Sequence, residues 1–165
     1  MRQAFLKSRV LASGAVFVVL ISISAFPAWA SLGGDVSTIQ TDQVQMQGTR
    51  RIMAAQSSAG EAYTVHEIQT ANGTVVREYV ASSGMVFAIA WHGPWPPNMR
   101  QLLGSYSDQY MQALKSQGGA RAGRRPVVVE QPGLVVHMGG HPRAFAGQAY
   151  VPDLLPQGVR AEDIQ

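Results

Sequence analysis

The 165-residue sequence predicts an α+β fold in which an antiparallel sheet of about five to six strands is covered by two helices. Three observations support this prediction. Three β-branched and aromatic runs follow one another across short turn signals, similar short runs lie near the C-terminus, and two segments carry apolar residues at helical spacing. Strand runs interrupted by a helix are typical of an antiparallel sheet with helices packed on it. We expect one such domain over residues 31–165.

The first thirty residues have the pattern of a signal peptide. A basic start containing Arg2, Lys7 and Arg9 precedes an apolar stretch from Val10 to Phe26, and Ala28-Trp29-Ala30 is an A-x-A cleavage site. Cleavage there removes three of the 13 Lys and Arg residues and none of the 10 Asp and Glu residues, which leaves equal numbers. The basic balance therefore belongs to the leader and does not indicate a nucleic-acid partner. We expect Sec-type export, with the product periplasmic or secreted.

The chain has no cysteine. This excludes disulfides, cysteine nucleophiles, cysteine-ligated zinc and a lipid anchor on a cysteine at the cleavage site. Beyond the leader, no stretch approaches the roughly 18 apolar residues of a membrane-spanning helix, so we expect no transmembrane anchor in the mature chain. No motif indicates a cofactor.

The first predicted helix begins at Asp35, which is a suitable N-cap. The apolar residues Val36, Ile39 and Met46 follow it at helical spacing. We therefore expect a helix from Asp35 to about Gly48.

Three strands of a meander carry the clearest pattern in the sequence, after an ambiguous segment at 50–58. The predicted strands are Tyr63 to Gln69, Thr74 to Ala81 and Met85 to Trp91, separated by the turn signals Ala71-Asn72-Gly73 and Ser82-Ser83-Gly84. The third run is apolar on both faces. We expect it to lie at the centre of the sheet, with a helix packed on the face of smaller side chains.

The first of these turns decides which residues face each other. If Asn72-Gly73 is a two-residue type I′ turn, Glu67 lies opposite Glu78. Two facing carboxylates can share a proton, hold a divalent ion or act as an acid and base pair. Like charges directly opposite are destabilising, so a different register, or a rim position where water screens both charges, is the simpler interpretation.

The second half of the chain predicts a helix and three further strands. Asn98 is the N-cap of a helix to Leu114, whose apolar residues fall on one stripe. A flexible basic loop is expected at 116–126. The remaining predicted segments are strands at Val127 to Val129, Leu134 to His137 and Ala144 to Val151, and a coil from Pro152 to Gln165 with one helical turn at Ala161 to Ile164.

Two surfaces are candidates for ligand or partner contact. The segment Trp91 to Pro97 places Trp95 and His92 beside proline-rich backbone at a strand end. Exposed aromatic side chains on such loops commonly bind ligands or partner surfaces. The alternative is that Trp95 simply covers the second helix.

The other surface is the hairpin from His137 to Arg143. The spacing of His137 and His141 is the nearest approach to a metal-ligand pattern. With Gly139-Gly140 as a two-residue turn, however, the two rings point to opposite faces and no carboxylate lies near them in sequence. We therefore predict no metal site, and we expect His137, His141 and Arg143 to be contact residues.

Four strings of sequence resemble one known family. They are Tyr63-Thr64-Val65-His66-Glu67-Ile68-Gln69, Val75-Val76-Arg77-Glu78-Tyr79-Val80, Val86-Phe87-Ala88-Ile89-Ala90-Trp91 and Gly139-Gly140-His141-Pro142-Arg143-Ala144-Phe145. They are similar to the short exported bacterial proteins of domain-of-unknown-function family 2844, and the resemblance runs from about Ser31 to the C-terminus. It implies an exported single domain and supplies no activity, cofactor or catalytic residue.

These observations favour a non-enzymatic exported domain that binds an unknown protein or a small ligand. No catalytic set is assembled in the sequence, and no catalytic residue is assigned. Two alternatives stay open. One is a hydrolase or metal-dependent enzyme that uses Glu67, Glu78 and histidines, and the other is a structural envelope component that associates through a sheet edge.

Overall fold

The computed structural model describes residues 32–117 and 126–165, which form a seven-stranded antiparallel sheet with helices on one face. The strands are β1 (Thr49–Gln56), β2 (Ala62–Gln69), β3 (Val75–Ala81), β4 (Val86–Gly93), β5 (Val127–Gln131), β6 (Leu134–His141) and β7 (Ala144–Tyr150). The helices are α1 (Ile39–Gln45), α2 (Met99–Leu103) and α3 (Ser107–Ser116). The predicted leader at 1–30, and residues 118–125 of the predicted basic loop, lie outside the described ranges.

The predicted α+β class is confirmed, and the sheet has seven strands rather than five to six. The strand order is β1-β2-β3-β4-β7-β6-β5, so β4 is central as predicted. The additional strand is β1, which comes from the ambiguous segment at 50–58. Side chains on both faces of β1 are largely exposed, and an edge strand of this kind carries no apolar alternation in its sequence. Within the described ranges, no helix has the length and apolar character needed to cross a membrane.

Both predicted helix caps are present. Asp35 Oδ1 accepts the N–H of Ser37 at the start of a 3-10 turn that leads into α1, and Asn98 Oδ1 accepts the N–H groups of Arg100 and Gln101. The second predicted helix is divided into α2 and α3 by a 3-10 turn at Gly104–Tyr106. Together the helices cover one face of the sheet.

The helices pack on the face of β4 that carries Val86, Ile89 and Trp91, and not, as predicted, on the face of Ala88 and Ala90, which also carries Phe87. Ile89 and Trp91 of β4 share the core with Ile39, Leu102 and Tyr110 of the helices. The face that carries Ala88 and Ala90 is covered instead by the tail at 152–165. We refer to these as the helix face and the tail face.

The tail is anchored at Gln157 and at Gln165 by hydrogen bonds to the turn between β1 and β2 and to β3. Ser57 Oγ donates to the carbonyl of Gln157 at 2.7 Å, and Tyr79 Oη donates to that of Gln165 at 2.7 Å. Between these points Val159 and Ile164 are buried against the tail face. A segment predicted as coil therefore completes a second core, with one 3-10 turn at Ala161–Asp163 where a helical turn was expected.

The pairing of Glu67 with Glu78 that a two-residue turn would give is absent, and the simpler interpretation, a different register, is correct. Glu67 lies opposite Arg77, and His66 lies opposite Glu78. The loop has three residues rather than two, because Thr70 N–H bonds to the carbonyl of Thr74 at 2.9 Å and thereby makes Thr70 and Thr74 the last pair of the hairpin. A positive φ of 86° at Gly73 fits the left-handed residue of a three-residue hairpin loop.

The two edges of the sheet differ. The edge strand β5 follows Pro126, and the carbonyl of Val128 accepts a hydrogen bond from Gln117 Nε2 of the chain segment after α3 at 2.9 Å. The edge strand β1 has eight residues, and no side chain of the described residues bonds to its backbone. One edge is thus protected against further strand pairing, and the other is open.

Candidate functional site

The loop that carries Trp95 is held against the hairpin of β2 and β3 by a hydrogen bond and by close backbone contact. Thr74 Oγ1 donates to the carbonyl of Trp95 at 2.8 Å. A Cβ atom on Gly93 would lie 2.5 Å from Thr74 Cα, so only glycine allows this approach. The Trp95 side chain is nevertheless 58 % exposed, and His92 beside it is also exposed. The loop thus presents an aromatic side chain to solvent from a fixed backbone.

The hairpin of β6 and β7 turns at a different place from the one predicted. His141 pairs with Ala144, so the turn residues are Pro142 and Arg143, and Arg143 has a φ of 70°. Gly140 lies within β6, where a Cβ atom would clash with the carbonyl oxygen of Ala144. Gly140 therefore permits the close approach of the two strands, and neither Gly139 nor Gly140 forms the turn.

Because the turn lies at Pro142 and Arg143, both histidines belong to one strand. His137 and His141 are four residues apart on β6, which corresponds to about 13 Å along a strand. His137 Nε2 lies 3.6 Å from Glu130 Oε1, whereas His141 is exposed beside the carbonyl of Pro142. Among residues 32–117 and 126–165, no group of three or more His, Asp or Glu side chains is placed to hold a metal ion.

The sheet brings the two predicted contact surfaces to one end of the molecule. Gly93 at the end of β4 pairs with Phe145 near the start of β7, and His92 pairs with Ala146. The Trp95 loop and the turn at Pro142 and Arg143 therefore lie at the same end of the sheet. We call this end the tryptophan end. It carries His92, Trp95, His141 and Arg143, while His137 lies further along β6.

A cavity of about 310 Å³ lies beside the Trp95 loop. Its walls come from the end of α1, the turn between β2 and β3, the prolines that follow Trp95, and the start of α2. The lining residues are Gln45, Met46, Gln47, Thr70, Ala71, Asn72, Thr74, Pro96, Pro97, Asn98 and Gln101. None of these side chains carries a formal charge.

Behind this cavity lies a buried polar cluster that sequence analysis missed. Gln101 Nε2 donates to Asp42 Oδ1 at 2.8 Å, and Asp42 adjoins Glu78. Both carboxyl groups are fully buried. When both are ionised, Asp42 Oδ2 and the two oxygens of Glu78 have no donor among the described residues. A proton on Glu78 supplies the missing donor, because a protonated carboxyl group can donate to the carboxylate of Asp42.

Burial is the main cause of the altered acidity in this cluster. Burial raises the pKa of Asp42 to about 6. Burial and the Asp42 carboxylate together raise the pKa of Glu78 well above its usual range. His66 lies opposite Glu78, and burial, with a smaller effect of Arg50, lowers the pKa of its imidazole. The cluster is therefore arranged to hold one proton between two acids.

The other glutamate of the predicted pair lies on the opposite face of the sheet. Glu67 on the tail face binds Arg51 and Arg77, each at 2.9 Å. The hydrogen bond from Arg77 and the charges of the two arginines lower the pKa of Glu67. Glu67 and Glu78 consequently cannot act together on one substrate or one ion.

A signal for Asp42 was present in the sequence. Asp42 follows Ile39 by three residues and precedes Met46 by four, so it lies on the apolar stripe of α1. Gln101 gave no comparable signal, because a glutamine three residues after Asn98 is typical of an N-terminal capping pattern.

Comparison with known proteins gives one match. A family model described as "Protein of unknown function (DUF2844)" matches residues 28–164. Comparison with curated proteins and with solved structures finds no match.

Proposed function

We propose that this chain, which belongs to the family described as Protein of unknown function (DUF2844), is an exported, non-enzymatic domain that binds a partner or small ligand at its tryptophan end. The observation that carries the proposal is Trp95, whose side chain is 58 % exposed although its carbonyl is bonded to Thr74. A large aromatic side chain on a rigid loop loses little conformational entropy on binding, and it offers both apolar area and an N–H donor.

Export is supported by the pattern of residues 1–30. A direct test is to express the full-length chain in a bacterial host and to determine the mass of the protein in the envelope fraction. We expect an N-terminus at Ser31. A product that keeps Met1 and stays in the cytoplasm would contradict export.

The binding surface can be tested without knowing the partner. A photo-crosslinking amino acid replaces Trp95 in one version of the chain and Val128 in another. Val128 is a matched control because it is also apolar, is 47 % exposed and lies on β5 at the far edge of the sheet.

We expect irradiation of cells to give a discrete adduct from position 95 and none from position 128. The adduct should weaken when His92 or Arg143 is changed to alanine. For small ligands, the indole N–H signal of Trp95 is followed by NMR in envelope extracts, with the buried Trp91 as internal control. Equal adducts from both positions, together with an unchanged Trp95 signal, would refute the proposal.

The open edge at β1 favours a second candidate function, a structural component that self-associates. Ile52 on this strand is 55 % exposed. An unprotected eight-residue edge strand is a template for pairing with another strand. Sedimentation over a range of concentrations tests this function. We expect association that Ile52→Lys abolishes, and a monomer at every concentration would exclude it.

A further inference from the structure

We propose that the cavity beside the Trp95 loop binds a neutral, polyhydroxylated ligand of about the size of one sugar residue. The inference rests on the proposed function, because it names the ligand class for the tryptophan end. A volume of about 310 Å³ is at the lower end of the range for small-molecule sites.

Three amide side chains of the cavity have fixed orientations. Asn72 Oδ1 accepts a hydrogen bond from the backbone N–H of Thr74 at 3.2 Å, which fixes the orientation of the amide. It also lies 2.6 Å from Thr70 Oγ1, whose single proton can go either to Asn72 or to the carbonyl of Thr74. Asn98 Oδ1 accepts from the first backbone N–H groups of α2. In both residues the oxygen is occupied by the protein, so the NH₂ group is left to donate to a ligand.

The third amide, that of Gln101, offers an acceptor rather than a donor to the cavity. Gln101 Nε2 donates to Asp42, which leaves Gln101 Oε1 as an acceptor without a hydrogen-bond partner among the described residues. Gln101 is only 7 % exposed, so its side chain is held in place by its surroundings. The cavity therefore offers two oriented donors and one oriented acceptor.

The buried acid pair accounts for the orientation of Gln101. A glutamine amide can be rotated by half a turn at little cost unless a neighbour distinguishes nitrogen from oxygen. Asp42 makes this distinction because its ionised carboxylate accepts hydrogen bonds and cannot donate them. Asp42 itself is fully buried beside the equally buried Glu78, so its carboxyl group is held within the core. Two buried carboxyl groups thus position one acceptor of the cavity.

The absence of charge among the lining residues selects the ligand class. A carboxylate or ammonium ligand would lose hydration and gain no opposite charge, which is costly. A hydroxyl group both donates and accepts, so it matches amide donors and an amide acceptor in one site. The apolar wall of Met46, Pro96 and Pro97 suits the C–H face of a sugar ring, and Trp95 precedes this wall in the chain.

A second cavity, over β1, β2 and β3, suits this chemistry less well. It measures about 540 Å³ and is lined mainly by alanines and other small side chains. It contains no amide that the protein holds in one orientation through a hydrogen bond. We therefore assign the ligand to the smaller cavity.

The test uses the processed protein, purified after expression of the full-length chain. Glucose, N-acetylglucosamine and cellobiose are titrated in, with glucuronate and glucosamine as charged analogues. Calorimetry gives the Kd, and NMR follows the side-chain amide signals of Asn72, Asn98 and Gln101. We expect saturable binding of at least one neutral sugar with a shift of these signals, and much weaker binding of the charged analogues.

Variants locate the binding. Asn98→Ser keeps a capping oxygen and removes the outward NH₂ group, so we expect the helix to form and the Kd to rise about tenfold. Gln131→Ser is the matched control, since Gln131 is an exposed amide on β5 and should leave the Kd unchanged. Gln101→Met should weaken binding to a similar extent, and Asn72→Ser replaces it if thermal melting shows that the methionine variant is unfolded.

The outcomes separate the two proposals. Failure of every neutral sugar to bind with a Kd below about 10 mM would overturn the ligand class. Tighter binding of a charged analogue would also overturn it. So would a Kd that stays unchanged in Asn98→Ser and in the second variant, whether that is Gln101→Met or Asn72→Ser. In each of these cases, a crosslinked adduct at position 95 would still support the proposed function. Absence of that adduct would refute both the ligand class and the proposed function.

Discussion

Two glutamates on neighbouring strands meet opposite environments on the two faces of the sheet. Glu67 on the tail face keeps partial contact with water and binds two arginines, which lower its pKa. Glu78 on the helix face is fully buried beside another carboxyl group, and its pKa is raised. The difference shows that burial and the neighbouring charges together decide the charge state, because the residue type and the secondary structure are the same.

The tail face uses cations to stabilise a carboxylate, and the helix face uses a proton. A proton shared by two acids leaves only one negative charge in the core. That charge is bound by Gln101. The two faces therefore respond to pH with opposite signs, and three changes test this comparison.

Removal of each glutamate side chain in turn should give the largest difference in the free energy of unfolding. Glu78→Ala leaves a void in the core and deprives Asp42 of its donor, so we expect the free energy of unfolding to fall by about 3 kcal/mol. Glu67→Ala breaks ion pairs that are partly screened by water, and we expect a loss below about 1 kcal/mol. Urea unfolding of the processed protein at pH 7 measures both losses. Losses of equal size would contradict the assignment of Glu78 to a packed interior.

Replacement of Glu78 by glutamine isolates the proton. Because burial and the Asp42 carboxylate raise the pKa of Glu78, its favourable contribution to folding is present below its usual value of 4.5 and is lost as the pH rises through the higher folded value. In Glu78→Gln the amide can donate to Asp42 at every pH without taking up a proton. We expect this variant to match the parent near pH 4 and to become more stable than the parent as the pH rises to 8.

The measurement is urea unfolding at intervals from pH 4 to 8. Parallel curves for the parent and Glu78→Gln would show that the two carboxyl groups share no proton. Curves that diverge with rising pH would support the shared proton.

The smallest effect is expected at Glu67, with the reverse pH dependence. Because its pKa is lowered from 4.5, its contribution is present above that value and is lost as the pH falls through the lower folded value. Glu67→Gln should therefore cost less than about 1 kcal/mol near neutral pH and nothing in acid. Asp153→Asn is the control, since Asp153 is exposed and its side chain makes no ion pair or hydrogen bond with the described residues. A cost at Glu67 that grows in acid would contradict the ion-pair assignment.

Turn signals and apolar runs were sufficient to predict the strands of the meander and the central place of β4. They failed where a single hydrogen bond decided the register. Asn72-Gly73 favours a two-residue turn, but Thr70 and Thr74 bond to each other and lengthen the loop to three residues. The one-residue error in register reverses the faces assigned to the side chains of β3. For that reason Glu78 was placed opposite Glu67.

The remaining differences have similar physical causes. The apolar residues of the tail, such as Val159 and Ile164, have no periodicity, so their sequence does not reveal that they cover a sheet. Gly139 and Gly140 resemble a turn because glycine permits both turns and close strand approach. Of the predicted contact residues, His92, Trp95, His141 and Arg143 lie at one end of the sheet. Their function stays a prediction.

The long reach of the tail has a consequence for the order of folding. Its hydrogen bonds from Tyr79 and Ser57 span 86 and 100 residues of sequence. Contacts between such distant parts of a chain form slowly, because the loop between them must lose its conformational entropy first. The aromatic cluster of Tyr63, Tyr79 and Phe87 should therefore be the last to close, and during that interval it is the surface that a chaperone would meet.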